Sequence, residues 1–423
     1  MDRTLSNIFK GDKVIWMVFF FLCIISVVEV YSASSQLTYK GGNYIAPVMK
    51  HVGLLVVGIV AMVVVVNVKC KYFKVVTPFM LLLSVVLLIA VYVLGQSTNG
   101  AMRWIPIFGV QFQPSEIAKG TLVLATAQIL SALQTEQGAD NRAFKYILIV
   151  SLFIVPLILV ENFSTAALLC LVIFFMMVYG RVSWRLLGAV MGFVVIVGAI
   201  VMVSIFFLGK SDTESSTSPM QLTETTVAAA ESGGVGVLSR SGTWLSRIKK
   251  FIAGAPDDPL KVDLDKEAQE SYAKIAIASS NVVGKGPGNS VQCDFLPQAY
   301  SDFIYAIIIE EMGIEGALFV AMLYIILLFR VGRIAGRCAN TFPAFLVMGL
   351  ALLLVVQALV NMCVAVGLSP VTGQPLPLIS KGGTSTIINC IYIGVILSVS
   401  RTAKRRDEGT SVDGAVASVP LRA

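Results

Sequence analysis

The feature that most constrains this chain is a succession of apolar runs, each long enough to cross a lipid bilayer. A helix of about 20 apolar residues spans the hydrocarbon core, and about ten such runs can be counted along the 423 residues. Backbone groups in lipid must be satisfied within the segment, which favours helices. We therefore predict an all-α integral membrane protein. The predicted spans are residues 14–32, 51–68, 74–95, 114–134, 144–161, 164–180, 184–208, 302–329, 342–366 and 383–400.

Composition narrows the functional classes. Only 13% of the residues are charged, against about 25% in soluble domains. The net charge of +7 lies mainly in short segments between apolar runs, which argues against a nucleic-acid partner. The single histidine, His51, is interpreted as an interfacial residue and argues against a His-based zinc site or a Ser-His-Asp triad. No Walker loop is present, and none of the seven cysteines is expected to form a disulfide.

The distribution of lysine and arginine predicts the topology. Clusters of basic residues occupy alternate short loops, and such clusters mark the cytoplasmic side. Both termini are therefore predicted to be cytoplasmic, and the first apolar run is too long for a signal peptide, so it is expected to be retained. The predicted regions are a cytoplasmic start (1–13), spans one to seven (14–208), an extracytoplasmic loop (209–301), spans eight to ten (302–400) and a disordered cytoplasmic tail (401–423).

The long predicted outer loop has three parts. Residues 211–239 are rich in Ser and Thr and are predicted to be a flexible linker. Residues 240–253 alternate apolar and basic side chains at helical spacing, which predicts an interfacial amphipathic helix. Residues 267–290 form a second helical stretch that ends in the glycine-rich turn GKGPGNS.

Acidic residues in or beside apolar runs are the first functional candidates. Asp302 stands at the predicted outer end of span eight, where it is a helix N-cap, a first-turn acid or a catalytic carboxylate. Glu310 and Glu311 lie inside the same run and need partners within the bundle. Glu161 lies in a predicted outer turn and is a second candidate acid.

Basic residues converge on the same predicted side. Glu116 and Lys119 are three residues apart on one helix face, so they form an ion pair or Lys119 faces a polar cavity. Arg103 lies in a short outer loop, Lys285 in the glycine-rich turn, and Lys381 in a Pro/Gly-rich loop before span ten. Cations beside a membrane suit a lipid phosphate or pyrophosphate, and a positioned carboxylate suits a general base.

Three stretches carry a family resemblance: NGAMRWIPIFGVQFQPSEIAK, GKGPGNSVQCDFLPQAYSDFIYAIIIEEMG and GLSPVTGQPLPLISKGGTS. Their order and predicted side resemble the SEDS proteins (shape, elongation, division and sporulation). The resemblance implies a peptidoglycan glycosyltransferase that polymerises lipid II at the outer face of the cytoplasmic membrane. It implies a class B penicillin-binding protein and other division proteins as partners, and the division septum as the location. The amino-terminal start and the long outer loop look more like the division member, FtsW, than the elongation member, RodA.

The same resemblance assigns the site. The family's essential aspartate falls on Asp302, and motif positions match at Arg103, Glu116, Lys119 and Lys285. The chain departs from the motif at Glu161, which leaves the role of that acid in doubt, and at Lys381, where the family usually has tyrosine. A divalent cation, Mg²⁺ or Mn²⁺, would suit the pyrophosphate, but no metal-ligand cluster stands out in the sequence. Two other functions remain open: a lipid II flippase and a non-catalytic division scaffold.

Overall fold

The structure is a computed structural model that describes the backbone of residues 10–35, 45–94, 96–98, 101–107, 110–192, 264–294 and 301–416. Residues Met1–Arg181 and Asp263–Ala423 form one compact unit, and Val182–Val262 form a second. The described part of the second unit is helical over residues 184–192. The predicted linker, the predicted amphipathic helix and most of the predicted seventh span lie outside the described residues.

Helices dominate the described part of the first unit, which confirms the all-α membrane fold. Seven of them are long and apolar enough, by length and composition, to cross a membrane. The α4 helix, predicted as the fourth span, is not among those seven. The helices are α1 (Lys13–Ser35), α2 (Ile45–Val66), α3 (Cys70–Leu94), α4 (Pro114–Ala132), α5 (Asn141–Glu161), α6 (Phe163–Tyr179), α7 (Leu264–Ala278), α8 (Ile304–Arg337), α9 (Thr341–Ala365) and α10 (Thr384–Val416).

The helices differ in how much of their surface they bury. Among the spans, α9 and α10 bury the largest share inside the protein, whereas α2, α3 and α5 bury the smallest. Apolar side chains such as Val60, Leu82 and Phe153 are exposed on the latter three helices. Lipid tails are as apolar as these side chains, so this exposure is expected for helices that face the bilayer.

Short strands, which the sequence analysis did not anticipate, link α3 to α4. The strands β1 (Gln96–Thr98), β2 (Ala101–Ile107) and β3 (Val110–Phe112) form an antiparallel sheet in the order β1-β2-β3. Ile105 of β2 is opposite Phe112 of β3. A second two-stranded sheet joins β4 (Gln134–Thr135) to β5 (Gly138–Ala139) after α4. Pairing in this way satisfies the backbone groups of connections that would otherwise be left unbonded.

The α8 helix is broken, where the sequence predicted one continuous span from residue 302. Gly313 has φ 72° and ψ −173°, which separates a 304–312 segment from a 314–337 segment. The Tyr305 hydroxyl donates a hydrogen bond of 3.1 Å to the Ala317 carbonyl. Twelve residues of straight helix would rise about 18 Å, far beyond the reach of a tyrosine. The 304–312 segment is therefore folded back on the 314–337 segment.

The loop that follows α7 docks at this break. The Gly286 amide donates to the Glu311 carbonyl at 2.8 Å, and the Glu315 amide donates to the Val282 carbonyl at 3.4 Å. These bonds satisfy backbone groups that the interrupted helix cannot pair internally. A Cβ on Gly313 would collide with the Val282 carbonyl. Glycine is required here for its positive φ and for this close approach of two backbones.

The last helix is longer than predicted. The α10 helix continues to Val416, past residue 401, where the sequence analysis placed the start of a disordered tail. The segment RTAKRRDE, residues 401–408, consists largely of strong helix formers, which allows the helix to propagate beyond the apolar run.

Candidate functional site

Asp302 lies in a turn immediately before α8 and is half-buried. The N-cap residue of α8 is Phe303, so Asp302 precedes the cap position and the helix-cap interpretation does not describe it. The Ser301 hydroxyl donates a hydrogen bond of 3.0 Å to Oδ1 of Asp302. The carboxylate is thus presented by a turn and is not part of a regular helix.

Two hydrogen bonds hold the main chain of this turn. The side-chain amide of Asn361, in the last turns of α9, donates to the Asp302 carbonyl at 2.8 Å. The Ser380 hydroxyl donates to the Ser301 carbonyl at 2.6 Å. Both bonds act on backbone oxygens, so they would remain available if the Asp302 carboxylate lost its charge.

The segment 374–380, which precedes α10, is the second support of the site. Asn361 also donates to the Gln374 carbonyl at 2.7 Å. Gln357, one turn earlier on α9, donates to the Pro375 carbonyl at 3.0 Å. One face of α9 therefore holds both this segment and the Asp302 turn, which fixes the two relative to each other. Residues 374–380 belong to the motif GLSPVTGQPLPLISKGGTS. The sequence did not predict their contacts with the Asp302 turn.

Glu161, the second candidate acid, is the buried last residue of α5. Asn162 follows it and accepts a hydrogen bond of 3.1 Å from the Ser164 amide, which starts α6. Thr165 then accepts a hydrogen bond of 2.6 Å from the Gln374 side chain. The turn after Glu161 is therefore linked to the segment 374–380 and, through it, to Asp302.

Lys119 and Glu116 form the ion pair that their spacing on α4 allowed. The Lys119 Nζ is 2.9 Å from Glu116 Oε1, and their side chains are 0% and 1% exposed. Lys119 also donates to Gln357 Oε1 at 2.8 Å. The Lys119 ammonium thus lies in a buried polar network, one helical turn of α9 away from Asn361.

Lys285 is held by Glu310, 25 residues further along the chain. Its Nζ is 2.6 Å from Glu310 Oε1. The same carboxylate accepts from the Ser290 hydroxyl at 2.5 Å and from the Val291 amide at 3.2 Å. This partner explains how Glu310 is tolerated within an apolar run. Glu310 is eight residues beyond Asp302, or about 12 Å of helix, so the structure does not bring Lys285 to Asp302.

Glu311 points to a different partner. Its Oε1 accepts a hydrogen bond from the Ser32 hydroxyl near the end of α1. The two adjacent glutamates therefore anchor the 304–312 segment in two directions, Glu310 to the glycine-rich turn and Glu311 to the first span. Both glutamate side chains are fully buried. Their contacts therefore hold the 304–312 segment in place.

Lys381 directly follows the Ser380 that holds the Asp302 turn. Burial, together with the charge of Lys50, lowers the pKa of Lys381 from its ordinary value. The Gln111 carbonyl of β3 accepts a hydrogen bond of 3.2 Å from Thr384, so the β-hairpin lies against the start of α10. Arg103 belongs to β2 of the same sheet, and its side chain lies outside the described residues. An anionic ligand near Lys381 would offset the cost of its partly desolvated charge.

The described residues do not gather the ligands of a metal site. Among them, no group of three or more His, Cys, Asp or Glu is arranged to hold a metal ion. The Glu116 and Glu310 carboxylates are already paired with lysines. The described side chains therefore do not form an all-protein cage for a divalent cation.

Fold and site together define a polytopic membrane protein with a half-buried aspartate, a buried ion pair and a lysine-bearing loop at one end of its bundle. The chain belongs to the FtsW/RodA/SpoVE family: the family model described as "Cell cycle protein" matches residues 12–405. This confirms the SEDS resemblance, which rested on three motifs.

Named relatives agree with this assignment to the family. The chain is 30% identical over 393 residues to "Peptidoglycan glycosyltransferase MrdB" of Escherichia coli strain K12, covering 92% of this chain and 93% of the relative. It is 30% identical over 394 residues to "Probable peptidoglycan glycosyltransferase FtsW" of Geobacter sp. strain M18, covering 92% and 96%. These two values do not separate the division type from the elongation type.

The fold is shared with two solved structures. A chain described under "Structural coordination of polymerization and crosslinking by a peptidoglycan synthase complex" has a TM-score of 0.65 at 22% identity, with 93% of this chain and 98% of that chain covered. The rod shape determining protein RodA of Thermus thermophilus has a TM-score of 0.60 at 21% identity, with 93% and 98% covered.

Proposed function

We propose that this chain is a peptidoglycan glycosyltransferase that polymerises lipid II at the outer face of the cytoplasmic membrane. Family membership supports the proposal, as do the names of the relatives at 30% identity. The observation that carries it is the Asp302 turn, whose backbone is fixed by Asn361 and Ser380. A fixed backbone with a half-buried carboxylate is what a general base requires.

In the proposed reaction, Asp302 accepts the proton of the 4-hydroxyl of the acceptor GlcNAc. The freed oxygen attacks the anomeric carbon of the donor MurNAc, and a new glycosidic bond forms with inversion. The bond from that carbon to the pyrophosphate oxygen breaks, and undecaprenyl pyrophosphate leaves with the electron pair. General-base assistance of this kind contributes about 10²–10⁴-fold to a rate.

The leaving group carries negative charge that cations can stabilise in the transition state. Lys381 is the strongest candidate for this role, because it adjoins the Asp302 turn and its charge is partly desolvated. Arg103 is a second candidate, since its strand belongs to the sheet that lies against the start of α10. Lys119 supports the site through Gln357, which holds the segment 374–380, and Lys285 pairs with Glu310 on α8.

Purified protein incubated with lipid II provides the test. We expect glycan polymer from the wild-type protein and little or none from Asp302→Asn. Glu315→Gln, which removes an exposed carboxylate from the same helix, is the matched control and should polymerise normally. Failure of the wild-type protein to polymerise, combined with transfer of lipid II across proteoliposome membranes, would favour a flippase. Normal growth of cells that carry only Asp302→Asn would favour a scaffold.

The cellular role is proposed to be septal wall synthesis with a class B penicillin-binding protein and other division proteins. The similarity of fold to a chain of a peptidoglycan synthase complex supports a partnered enzyme, and the start and long loop resemble FtsW. A fluorescent fusion should concentrate at the division site and should co-purify a class B penicillin-binding protein. A uniform distribution along the cell cylinder would indicate the elongation role instead.

The orientation proposed here places both termini in the cytoplasm and residues 209–301 outside. A reporter fused after Arg406 or Arg337 should report the cytoplasm, and one inserted near Ser215 should report the outer side. A cytoplasmic signal at Ser215 would contradict an outer active site.

A further inference from the structure

His51, the only histidine of the chain, is buried in α2 and lies outside the mechanism described above. Its side chain is 1% exposed, whereas the sequence suggested an interfacial residue. Its Nε2 is 2.8 Å from the hydroxyl oxygen of Ser26 in α1. A buried polar contact between the first two spans needs an explanation, because an apolar pair would pack there at lower cost.

The hydrogen bonds around His51 indicate which of its ring nitrogens carries the proton. The Ser26 hydroxyl also contacts the Ile379 carbonyl at 2.6 Å. A carbonyl can only accept and a hydroxyl has one proton, so Ser26 donates to Ile379. Nε2 of His51 must then carry the proton that it shares with Ser26. Nδ1 is buried with no hydrogen-bond partner in the structure, so it is the unprotonated nitrogen.

A neutral ring is the state that this environment favours. Protonating Nδ1 would bury a second N–H without an acceptor, at a cost of about 1–3 kcal/mol before any charge is counted. His51 is therefore a neutral hydrogen-bond donor, and it does not act as an acid or a base.

The bond to Ile379 leads directly to the catalytic turn. Ser380, the next residue, donates to the Ser301 carbonyl at 2.6 Å, and Ser301 donates to the Asp302 carboxylate at 3.0 Å. The chain of contacts thus runs from His51 through Ser26 and the 379–380 backbone to the turn that carries Asp302.

The segment needs this support because its backbone is strained. Leu378 has φ 67°, a left-handed conformation that costs a non-glycine residue about 1–2 kcal/mol. The residues on either side are both anchored: the Pro377 carbonyl accepts from the Tyr324 hydroxyl, and the Ile379 carbonyl accepts from Ser26. Releasing one anchor would allow Leu378 to relax and would carry Ser380 away from the Asp302 turn.

We propose that His51 is a positioning residue for the transferase reaction, a neutral donor that acts through Ser26 to hold the 377–380 backbone and thereby the Asp302 turn. Its effect on the rate rests on the proposed function, whereas its effect on the turn does not. The role depends on a donor at the Nε2 position, which a glutamine amide can supply and a methionine cannot.

The kinetic test compares His51→Gln with His51→Met in lipid II polymerisation. Since misplacement of a catalytic group by about 1 Å can cost 10²-fold, His51→Met should lower kcat roughly ten- to a hundredfold with KM for lipid II unchanged. His51→Gln should stay within about twofold of wild type. Ser26→Ala is a smaller change that breaks the same chain of contacts, so it should lower kcat as much as His51→Met does. It replaces His51→Met in the test if that variant fails to fold.

Ser84→Ala is the matched control. It removes an equally buried interhelical hydrogen bond, from Ser84 to Thr121 at 3.0 Å, that does not lead to Asp302. It should leave kcat unchanged. Equal rates for His51→Gln and His51→Met, or an effect of Ser84→Ala as large as that of Ser26→Ala, would overturn the proposal.

Amide hydrogen exchange of the purified protein provides a readout that needs no activity. His51→Met and Ser26→Ala should increase deuterium uptake in residues 301–303 and 374–380, and His51→Gln and Ser84→Ala should not. If the wild-type protein makes no polymer but this exchange pattern appears, the positioning role stands and the proposed function falls. Unchanged exchange in both segments would overturn the positioning role whatever the activity.

Discussion

The side-chain amide of Asn361 donates a hydrogen bond of 2.8 Å to the main-chain carbonyl of Asp302, across 59 residues of sequence. This contact makes α9 one of two supports of the turn before α8; the other is Ser380, which donates to the Ser301 carbonyl. The Asn361 contact also separates two properties that a mutation can probe independently: the position of the turn, which depends on backbone bonds, and the chemistry of the carboxylate.

Replacing Asp302 with Asn should lower turnover by about a hundredfold or more, because an amide cannot take the proton that a general base accepts. The melting temperature and the KM for lipid II should stay close to wild type, since the bonds that hold the turn act on its main chain. Polymerisation rates and a thermal melt measure both. A near wild-type rate would contradict the role of Asp302 as base.

Replacing Asn361 with Leu should reduce stability and rate together. The change leaves the Asp302 and Gln374 carbonyls without their donor, and each buried unsatisfied group costs about 1–3 kcal/mol. Asn67→Leu, at an exposed amide that bonds to the Val63 carbonyl, is the control and should change the free energy of unfolding by less than about 0.5 kcal/mol. Equal effects of the two substitutions on melting temperature would show that the Asn361 bonds do not support the turn.

Removing either member of the buried Glu116–Lys119 pair should destabilise the protein more than removing both. A single Lys119→Met or Glu116→Gln leaves one buried charge without its partner, which typically costs about 3–5 kcal/mol. The double variant should recover most of that loss in a thermal melt. If the double variant is stable but makes no polymer, one of the two charges also serves the substrate. Full activity in the double variant would make the pair purely structural.

Lys285 is expected to act through Glu310. Lys285→Met should lower polymerisation, because the glycine-rich turn loses the 2.6 Å contact that fastens it to α8. Glu310→Gln, which removes the charge but can still accept the hydrogen bonds of Ser290 and Val291, should lower the rate to a similar extent. If Glu310→Gln is as active as wild type while a stably folded Lys285→Met is inactive, the lysine contacts the pyrophosphate directly, as its place in the family motif first suggested.

Substitution at the break in α8 should be poorly tolerated. Gly313→Ala places a Cβ against the Val282 carbonyl, and the backbone at φ 72° and ψ −173° is a conformation nearly restricted to glycine, which costs other residues about 1–3 kcal/mol. We expect a lower melting temperature and a lower rate. Gly332→Ala, on the same helix, meets only the Met348 side chain at 3.7 Å and should be neutral or slightly stabilising. A fully stable and active Gly313→Ala would show that the fold-back does not depend on this residue.

Candidate site residues could be named from the sequence, but their arrangement could not. The spacing of Glu116 and Lys119 predicted an ion pair as one of two alternatives, because residues three apart meet on any helix, and the structure shows that pair. Lys285 and Asp302 were grouped because they occur in one motif. Their separation follows from Glu310, whose contact with Lys285 spans 25 residues and obeys no local rule.

The role of His51 could be predicted from the sequence even less than the separation of Lys285 and Asp302. Its position at the start of an apolar run is consistent with a bilayer interface, and nothing near it in sequence suggests burial. Its role depends on Ser26, 25 residues earlier, and on Ile379, 353 residues beyond Ser26. Such contacts depend on how α1, α2 and the segment before α10 pack together.

The sequence by itself determined that this is an all-α membrane protein of the SEDS family with Asp302 as its leading candidate residue. Hydropathy is a local property, and a run of about 20 apolar residues has few alternatives to a membrane helix. The tertiary structure alone decided that α8 folds back at Gly313, that Asn361 and Ser380 hold the Asp302 turn, and that Lys285 pairs with Glu310 away from that turn. Each of these depends on backbone and side-chain contacts between residues distant in sequence, which form only when the helices pack.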